Sequence, residues 1–131
     1  NAIVGAGAVV GNSTELKNCI LFDKTQVPHY NEVGDSILGK GSHLGASSVI
    51  SNLKSDGKDV CVNIDGERVS THRRKFGAIL GDGADIGCGT VLNPGSIIGK
   101  GCRVYPHSTI RGTVPSGCIY KTDGEIVKLE K

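Results

Sequence analysis

Large aromatic and thioether side chains are nearly missing from these 131 residues, which contain no Trp, no Met, two Phe and three Tyr. A core assembled without them must be thin and filled by aliphatic and small side chains. An excess of one charge is missing too. Fifteen Lys and Arg face 13 Asp and Glu, a formal net charge of +2. That leaves no basic stripe for nucleic acid, and no nucleic-acid partner is expected. No run is long and apolar enough to span a bilayer or serve as a signal peptide, so no membrane partner is expected either. The five cysteines (Cys19, Cys61, Cys88, Cys102 and Cys118) are odd in number and include no CxxC pair. Reduced thiols in a cytoplasmic protein are the expectation, ahead of disulfides or zinc. The chain begins at Asn1 within a repeat and reads as a piece of a longer protein.

What is abundant is glycine, 20 residues, set on a regular beat. Leu80, Ile86, Leu92, Ile98, Val104 and Ile110 follow one another at intervals of six. Four places after each come Ala84, Thr90, Ser96, Cys102, Ser108 and Val114, nearly all small, and Gly81, Gly87 and Gly99 directly follow aliphatic positions. The N-terminal half keeps the beat through Val4, Val10, Leu16 and Phe22, then Val27, Val33, Leu38, Leu44 and Ile50. A period of six suits neither an amphipathic helix nor a hairpin meander. It suits a short strand plus a corner, three to a coil, with the aliphatic residue inward and glycine at the corner supplying unusual φ/ψ. The expected fold is an all-β, single-stranded parallel β-helix of about five coils, one domain over residues 1–131.

The beat stops between Ile50 and Leu80. Val60, Val62 and Ile64 alternate, followed by Asp65-Gly66 and Arg68-Val69, which predicts a protruding hairpin within a loop over about residues 51–79. His72-Arg73-Arg74-Lys75 then places cations in a row. Such a run on a loop leaving a rigid scaffold is a candidate phosphate or pyrophosphate site. From about residue 113 to 131, a second Asp-Gly (Asp123-Gly124) and an apolar alternation from Ile126 to Leu129 predict a cap or an arm reaching a neighbouring subunit.

Three segments carry a resemblance beyond the hexads. They are Glu15-Leu16-Lys17-Asn18; Pro28-His29-Tyr30-Asn31-Glu32-Val33-Gly34-Asp35 with His43-Leu44-Gly45-Ala46 and Ser51-Asn52; and Arg74-Lys75-Phe76-Gly77-Ala78-Ile79-Leu80-Gly81-Asp82, leading to Gly87-Cys88. Together they resemble the acetyltransferase domain of bacterial bifunctional N-acetylglucosamine-1-phosphate uridyltransferase. They are also similar to β-helix proteins described as UDP-N-acetylglucosamine pyrophosphorylase-like or sugar nucleotidyltransferase-like. The resemblance implies a left-handed coil, a homotrimer, and transfer of acetyl from acetyl-CoA to an amino-sugar phosphate such as glucosamine-1-phosphate, with no metal. It implies His29 as general base, a role suited to an imidazole whose ordinary pKa is ~6.5. It implies Lys17 and Lys75 at the sugar phosphate and Asn52 in the substrate site, with Arg73 and Arg74 nearby. It also implies the backbone N–H near Ala46 as donor to the oxyanion, and Ala46, Cys88 and Pro106 along the CoA channel.

The chain departs from that pattern at Glu32, which replaces a sugar-contacting tyrosine, and at His43, which replaces an asparagine; both remain candidate substrate contacts. A further phosphate-binding arginine of the family falls before Asn1. The Gly-x-Gly pairs at Gly5 and Gly81 keep the hexad beat, so they read as corners and not as nucleotide loops. Two other readings use the same residues. One is a non-catalytic β-helix that trimerises or regulates an attached sugar nucleotidyltransferase, favoured by Glu32 and His43. The other is a zinc carbonic anhydrase on a similar scaffold, which the spacing of His29, His43 and His107 disfavours.

Overall fold

The computed structural model describes residues 1–129. The hexads become short strands that wind into stacked three-sided turns. The first turn is β1 (Ala2–Val4), β2 (Val9–Asn12) and β3 (Glu15–Lys17); the second is β4 (Cys19–Leu21), β5 (Gln26–His29) and β6 (Glu32–Gly34). The third is β7 (Ile37–Leu38), β8 (His43–Leu44) and β9 (Val49–Ile50). After an excursion holding β10 (Cys61–Ile64) and β11 (Glu67–Ser70), the fourth turn is β12 (Ala78–Leu80), β13 (Asp85–Ile86) and β14 (Val91–Leu92). Then come β15 (Ser96–Ile98), β16 (Arg103–Val104) and β17 (Thr109–Ile110), followed by β18 (Thr113–Val114), β19 (Cys118–Tyr120) and β20 (Ile126–Lys128).

Strands of equal phase pair in parallel into three sheets. Sheet A is β1-β4-β7-β12-β15-β18; sheet B is β2-β5-β8-β13-β16-β19, closed by antiparallel β20; sheet C is β3-β6-β9-β14-β17. No helix occurs among the described residues. The chain is an all-β parallel solenoid.

The aliphatic column fills its axis: Leu38, Leu44, Leu80, Ile86, Leu92 and Ile98 are fully buried. Each such side chain contributes about 1.5–3 kcal/mol. The second inward place is small because the turn above and below leaves little room. Most of its polar members are satisfied locally, the Ser42 hydroxyl being buried without a partner among the described residues. Thr25 Oγ1 donates to the Gly39 carbonyl at 3.0 Å and Ser48 Oγ to the Gly87 carbonyl at 2.8 Å.

Two expectations are corrected. Phe22 points outward and is 51% exposed, because the inward place belongs to Leu21, in register with Val4 and Leu38. The glycines after the aliphatic positions are also needed for a different reason. A Cβ on Gly81 would lie 2.6 Å from the backbone nitrogen of Lys100 in the next turn, so close approach excludes a side chain. Positive φ comes two residues later, at Gly83, Gly89 and Gly101, and there Lys24, Tyr30, Ser47 and His107 adopt it as well. Val4 and Val10 keep the inward phase yet are 46% and 41% exposed, since theirs is the end layer of the stack.

In the excursion, β10 and β11 pair antiparallel around Asp65 (φ 51°) and Gly66 (φ 81°), both left-handed as a two-residue hairpin requires. The hairpin leaves the coil and then lies back along it: Thr113 Oγ1 donates to the Asn63 carbonyl at 2.6 Å and Val60 is fully buried. The tail turns at Asp123-Gly124 so that β20 pairs with β19. The last two residues of the expected cap or arm, 130 and 131, lie outside the described residues.

The outer face of sheet A carries a row of isoleucines in register: Ile3, Ile20, Ile37, Ile79 and Ile97. Ile3 is 65% exposed and Ile37 40%. A row of this kind is an uncovered apolar face.

Candidate active site

Four of the expected site residues stack on the edge where sheet B turns into sheet C. Successive turns place His29, Ala46, Cys88 and Pro106 there, tied by Ser47 N–H to the His29 carbonyl (3.0 Å), Gly89 N–H to Ala46 (2.9 Å) and His107 N–H to Cys88 (2.9 Å). His29 ends β5 and is exposed, and its imidazole has no hydrogen-bond partner among the described residues.

The neighbouring side chain Asn31 is buried and holds this corner together. Its Oδ1 accepts from His29 N–H at 3.1 Å, and its Nδ2 donates to the Gly45 and Ser48 carbonyls at 2.9 and 3.0 Å. One amide thus fixes the turn carrying His29 against the turn carrying Ala46.

Backbone donors on this edge are open. Among the described residues, the Ala46 and Cys88 N–H groups have no acceptor within the chain. On the A/B edge three of the equivalent groups are capped from the next turn, while the Asp23 and Asp82 N–H groups have no acceptor among the described residues, like those of Ala46 and Cys88. Ala6 N–H is capped by Asp23 Oδ1 at 2.8 Å, Lys40 N–H by Asp82 Oδ1 at 2.9 Å, and Lys100 N–H by Ser116 Oγ at 3.1 Å. Cys88 stands on the B/C edge where Asp82 stands on the A/B edge, one residue after Gly87 as Asp82 is after Gly81. A thiol supplies no such cap. Open N–H groups beside an imidazole are what a developing oxyanion requires.

The second group of expected residues lies on the C/A edge. Asp35 N–H donates to the Lys17 carbonyl at 2.9 Å, Asn52 Nδ2 to Asp35 Oδ2 at 2.7 Å, and Phe76 N–H to the Asn52 carbonyl at 2.9 Å. Lys75 pairs with Leu53 across the base of the excursion, and Lys75 and Arg73 line a groove of about 360 Å³ over sheet A. Arg74 is turned into the loop, its Nε donating to the Gly57 carbonyl at 3.1 Å.

Glu32 and His43 join neither group. Glu32 lies on the outer face of sheet C, in register with Glu15. His43 lies on the outer face of sheet B, where Nδ1 meets Asp85 Oδ1 at 2.9 Å. Motif reading did not single out Asn31 or Asp35, whereas the resemblance already pointed to the backbone N–H near Ala46. The exchange of Asp82 for Cys88 after equivalent glycines is the written signal that this amide is left open. No cluster of three or more His, Cys, Asp or Glu that could hold a metal occurs among the described residues, and all five cysteines are free thiols.

The solenoid and its hexad period define a class, the hexapeptide-repeat proteins: residues 77–112 match the model of the bacterial transferase hexapeptide (six repeats). More particularly, residues 1–76 match the GMPPB C-terminal domain, and the chain belongs to that family.

The bifunctional sugar-1-phosphate nucleotidylyltransferase/acetyltransferase of Sulfurisphaera tokodaii is 36% identical over 112 residues, covering 86% of this chain and 28% of that protein. The bifunctional protein GlmU of Methanococcus maripaludis is 36% identical over 128 residues, covering 97% of this chain and 31% of that protein. The chain therefore spans under a third of the length of these relatives. Among solved structures, the acetyltransferase domain of PglB from Neisseria gonorrhoeae, in complex with acetyl coenzyme A, superposes with a TM-score of 0.70 at 19% identity, covering 93% of this chain and 49% of that one. PerB from Caulobacter crescentus, in complex with CoA and GDP-perosamine, gives 0.64 at 20% identity, covering 95% and 57%. At these identities the likeness is one of fold. These relatives agree with the resemblance read from the motif segments.

Proposed function

We propose that this chain is an acetyl-CoA-dependent N-acetyltransferase domain acting on an amino-sugar phosphate such as glucosamine-1-phosphate, within a protein of nucleotide-sugar synthesis. The observation that carries the reading is the B/C edge, where an exposed imidazole stands one turn from the uncapped Ala46 amide and two turns from that of Cys88. The acceptor lies across sheet C, its amine at His29 and its phosphate toward Lys17, Lys75 and Asn52. His29 to Gly34, the register partner of Lys17, is at most about 16 Å at ~3.3 Å per residue, and the corner at Tyr30 (φ 53°) shortens it. Lysine side chains reaching inward shorten that gap toward the size of a sugar phosphate. Glu32, between the two ends, would pair with the substrate ammonium before it is deprotonated.

In the reaction, His29 takes a proton from the amine as its nitrogen attacks the thioester carbonyl. The Ala46 N–H stabilises the tetrahedral oxyanion. The C–S bond then breaks, and the CoA thiolate leaves and is protonated. Pantetheine runs along the edge past Cys88 and Pro106. The isoleucine row of sheet A is the face on which copies pack into a homotrimer.

The stacking of Glu32 on Glu15 favours a second reading, since two carboxylates repel a phosphate. There the domain is non-catalytic and serves to assemble or regulate the attached sugar nucleotidyltransferase.

Release of free CoA thiol from acetyl-CoA with glucosamine-1-phosphate decides between them, using the full-length protein and its His29→Ala variant. Turnover falling by ~10²–10⁴-fold in the variant supports the enzyme reading. No thiol release from the folded wild-type protein supports the assembly reading.

A further inference from the structure

A second groove, of about 540 Å³, opens between the excursion and the C/A edge of the fourth and fifth turns. It shares no lining residue with the groove beside Lys75. Its construction is specific. Asn63 and Arg68 are cross-strand partners in the hairpin. The hairpin is pinned to the solenoid by Thr113 Oγ1 on the Asn63 carbonyl. A Cβ on Gly112 would lie 3.2 Å from Asn63 Nδ2, so Arg111 and Arg68 flank the same amide. Lys54 lines the third side, 3.6 Å from Asp56. No carboxylate lines the groove, and neither arginine has a salt-bridge partner among the described residues. Lys54 is met by Asp56, but the two guanidiniums held around one cleft by the docked hairpin have no counter-ion in it, and an anion lying between them relieves their repulsion. Guanidiniums with amide donors match phosphate oxygens in geometry as well as charge.

We propose that this groove binds a diphosphate group, held by Arg68, Arg111 and Lys54 with the Asn63 amide. A diphosphate supplies the charge to meet the two unpaired guanidiniums and enough oxygens to be shared with Lys54 and Asn63. This site stands apart from the acetyl-transfer site, on residues that reading does not use.

Cys61, which lines the groove against Arg68, reports on its occupancy. In the full-length protein, the alkylation rate of each cysteine by iodoacetamide is read peptide by peptide, with and without sodium pyrophosphate. The site predicts that Cys61 slows about tenfold once pyrophosphate exceeds its dissociation constant tenfold. Cys88, exposed on the B/C edge, should keep its rate. The ratio of the Cys61 rate without pyrophosphate to the rate with it should return to one in the Arg68→Gln/Arg111→Gln double variant and stay high in Arg73→Gln. Sodium sulfate at matched ionic strength should protect far less. Cys61 indifferent to millimolar pyrophosphate, equal protection by sulfate, or protection surviving in a double variant of unchanged melting temperature would each overturn the proposal.

Discussion

The A/B and B/C edges are made by the same hexad turn, yet they treat the backbone donor of the third turn differently: Lys40 N–H is capped and Ala46 N–H is open. On the A/B edge, Asp23, Asp82 and Ser116 cap the N–H groups of Ala6, Lys40 and Lys100. On the B/C edge, Ala46 and Cys88 keep their N–H groups open beside His29. Capping an orphan donor stabilises a fold by roughly 0.5–1.5 kcal/mol. An edge that leaves donors open forgoes that stability and retains the capacity to bind. Between Lys40 and Ala46 the difference comes down to the residue that follows the glycine of the next turn, Asp82 or Cys88.

The largest expected effect of breaking this contrast is loss of the base. His29→Ala should lower kcat by ~10²–10⁴-fold, with KM for acetyl-CoA little changed, as steady-state kinetics would show. Moving the cap from one edge to the other comes next. Cys88→Asp places on the B/C edge the carboxylate that Asp82 supplies on the A/B edge. It should occupy the Ala46 N–H and cost ~10²–10³-fold in kcat, the usual cost of a lost oxyanion donor, while the melting temperature holds or rises. A fall in melting temperature without loss of turnover would mean that the open amides serve no reaction.

Asn31→Ala should cost about 1–3 kcal/mol in denaturant unfolding, because the Gly45 and Ser48 carbonyls lose their buried donor. It should also lower kcat more than it raises KM, since it releases the His29 turn from the Ala46 turn. Ile37→Glu on sheet A should leave the coil folded and shift the sedimenting species toward the monomer, as a charge in an apolar contact face would.

The smallest effect is on pH dependence. Burial raises the Cys19 and Cys102 thiol pKa values above the ordinary 9.0. The folded state then holds its thiol protons more tightly than the unfolded chain does. Stability is therefore complete below pH 9 and declines as pH rises above it. Cys102→Ala should flatten that decline in thermal melts between neutral and alkaline pH.

Much of this was legible in the sequence. The run from Leu80 to Ile110 never slips, and every member is buried as its phase required. The slip came at Leu21-Phe22, where two apolar residues adjoin and only pairing with Val4 and Leu38 shows which faces inward. Asp65-Gly66 announced its hairpin, since local φ preferences fix such a turn. Its docking on Gly112 and Thr113, some fifty residues away, is a tertiary fact with no local signature. The same holds for the edges. The motif residues could be named one by one, but that His29, Ala46 and Cys88 form one column while Lys17, Asn52 and Lys75 gather on another edge follows from coil stacking. The paired Asp35 and the bridging Asn31 emerged only with that stacking.

The most direct test of the central claim, an acceptor lying across sheet C with its phosphate at the lysines, is a cycle between enzyme and substrate. Thiol release is measured for the wild-type protein and the Lys17→Ala/Lys75→Ala variant, each with glucosamine-1-phosphate and with glucosamine. The account predicts that deleting the phosphate, deleting the lysines, or deleting both costs about the same in kcat/KM, because all three remove one interaction. Losses that simply multiply would place the phosphate elsewhere and contradict the account.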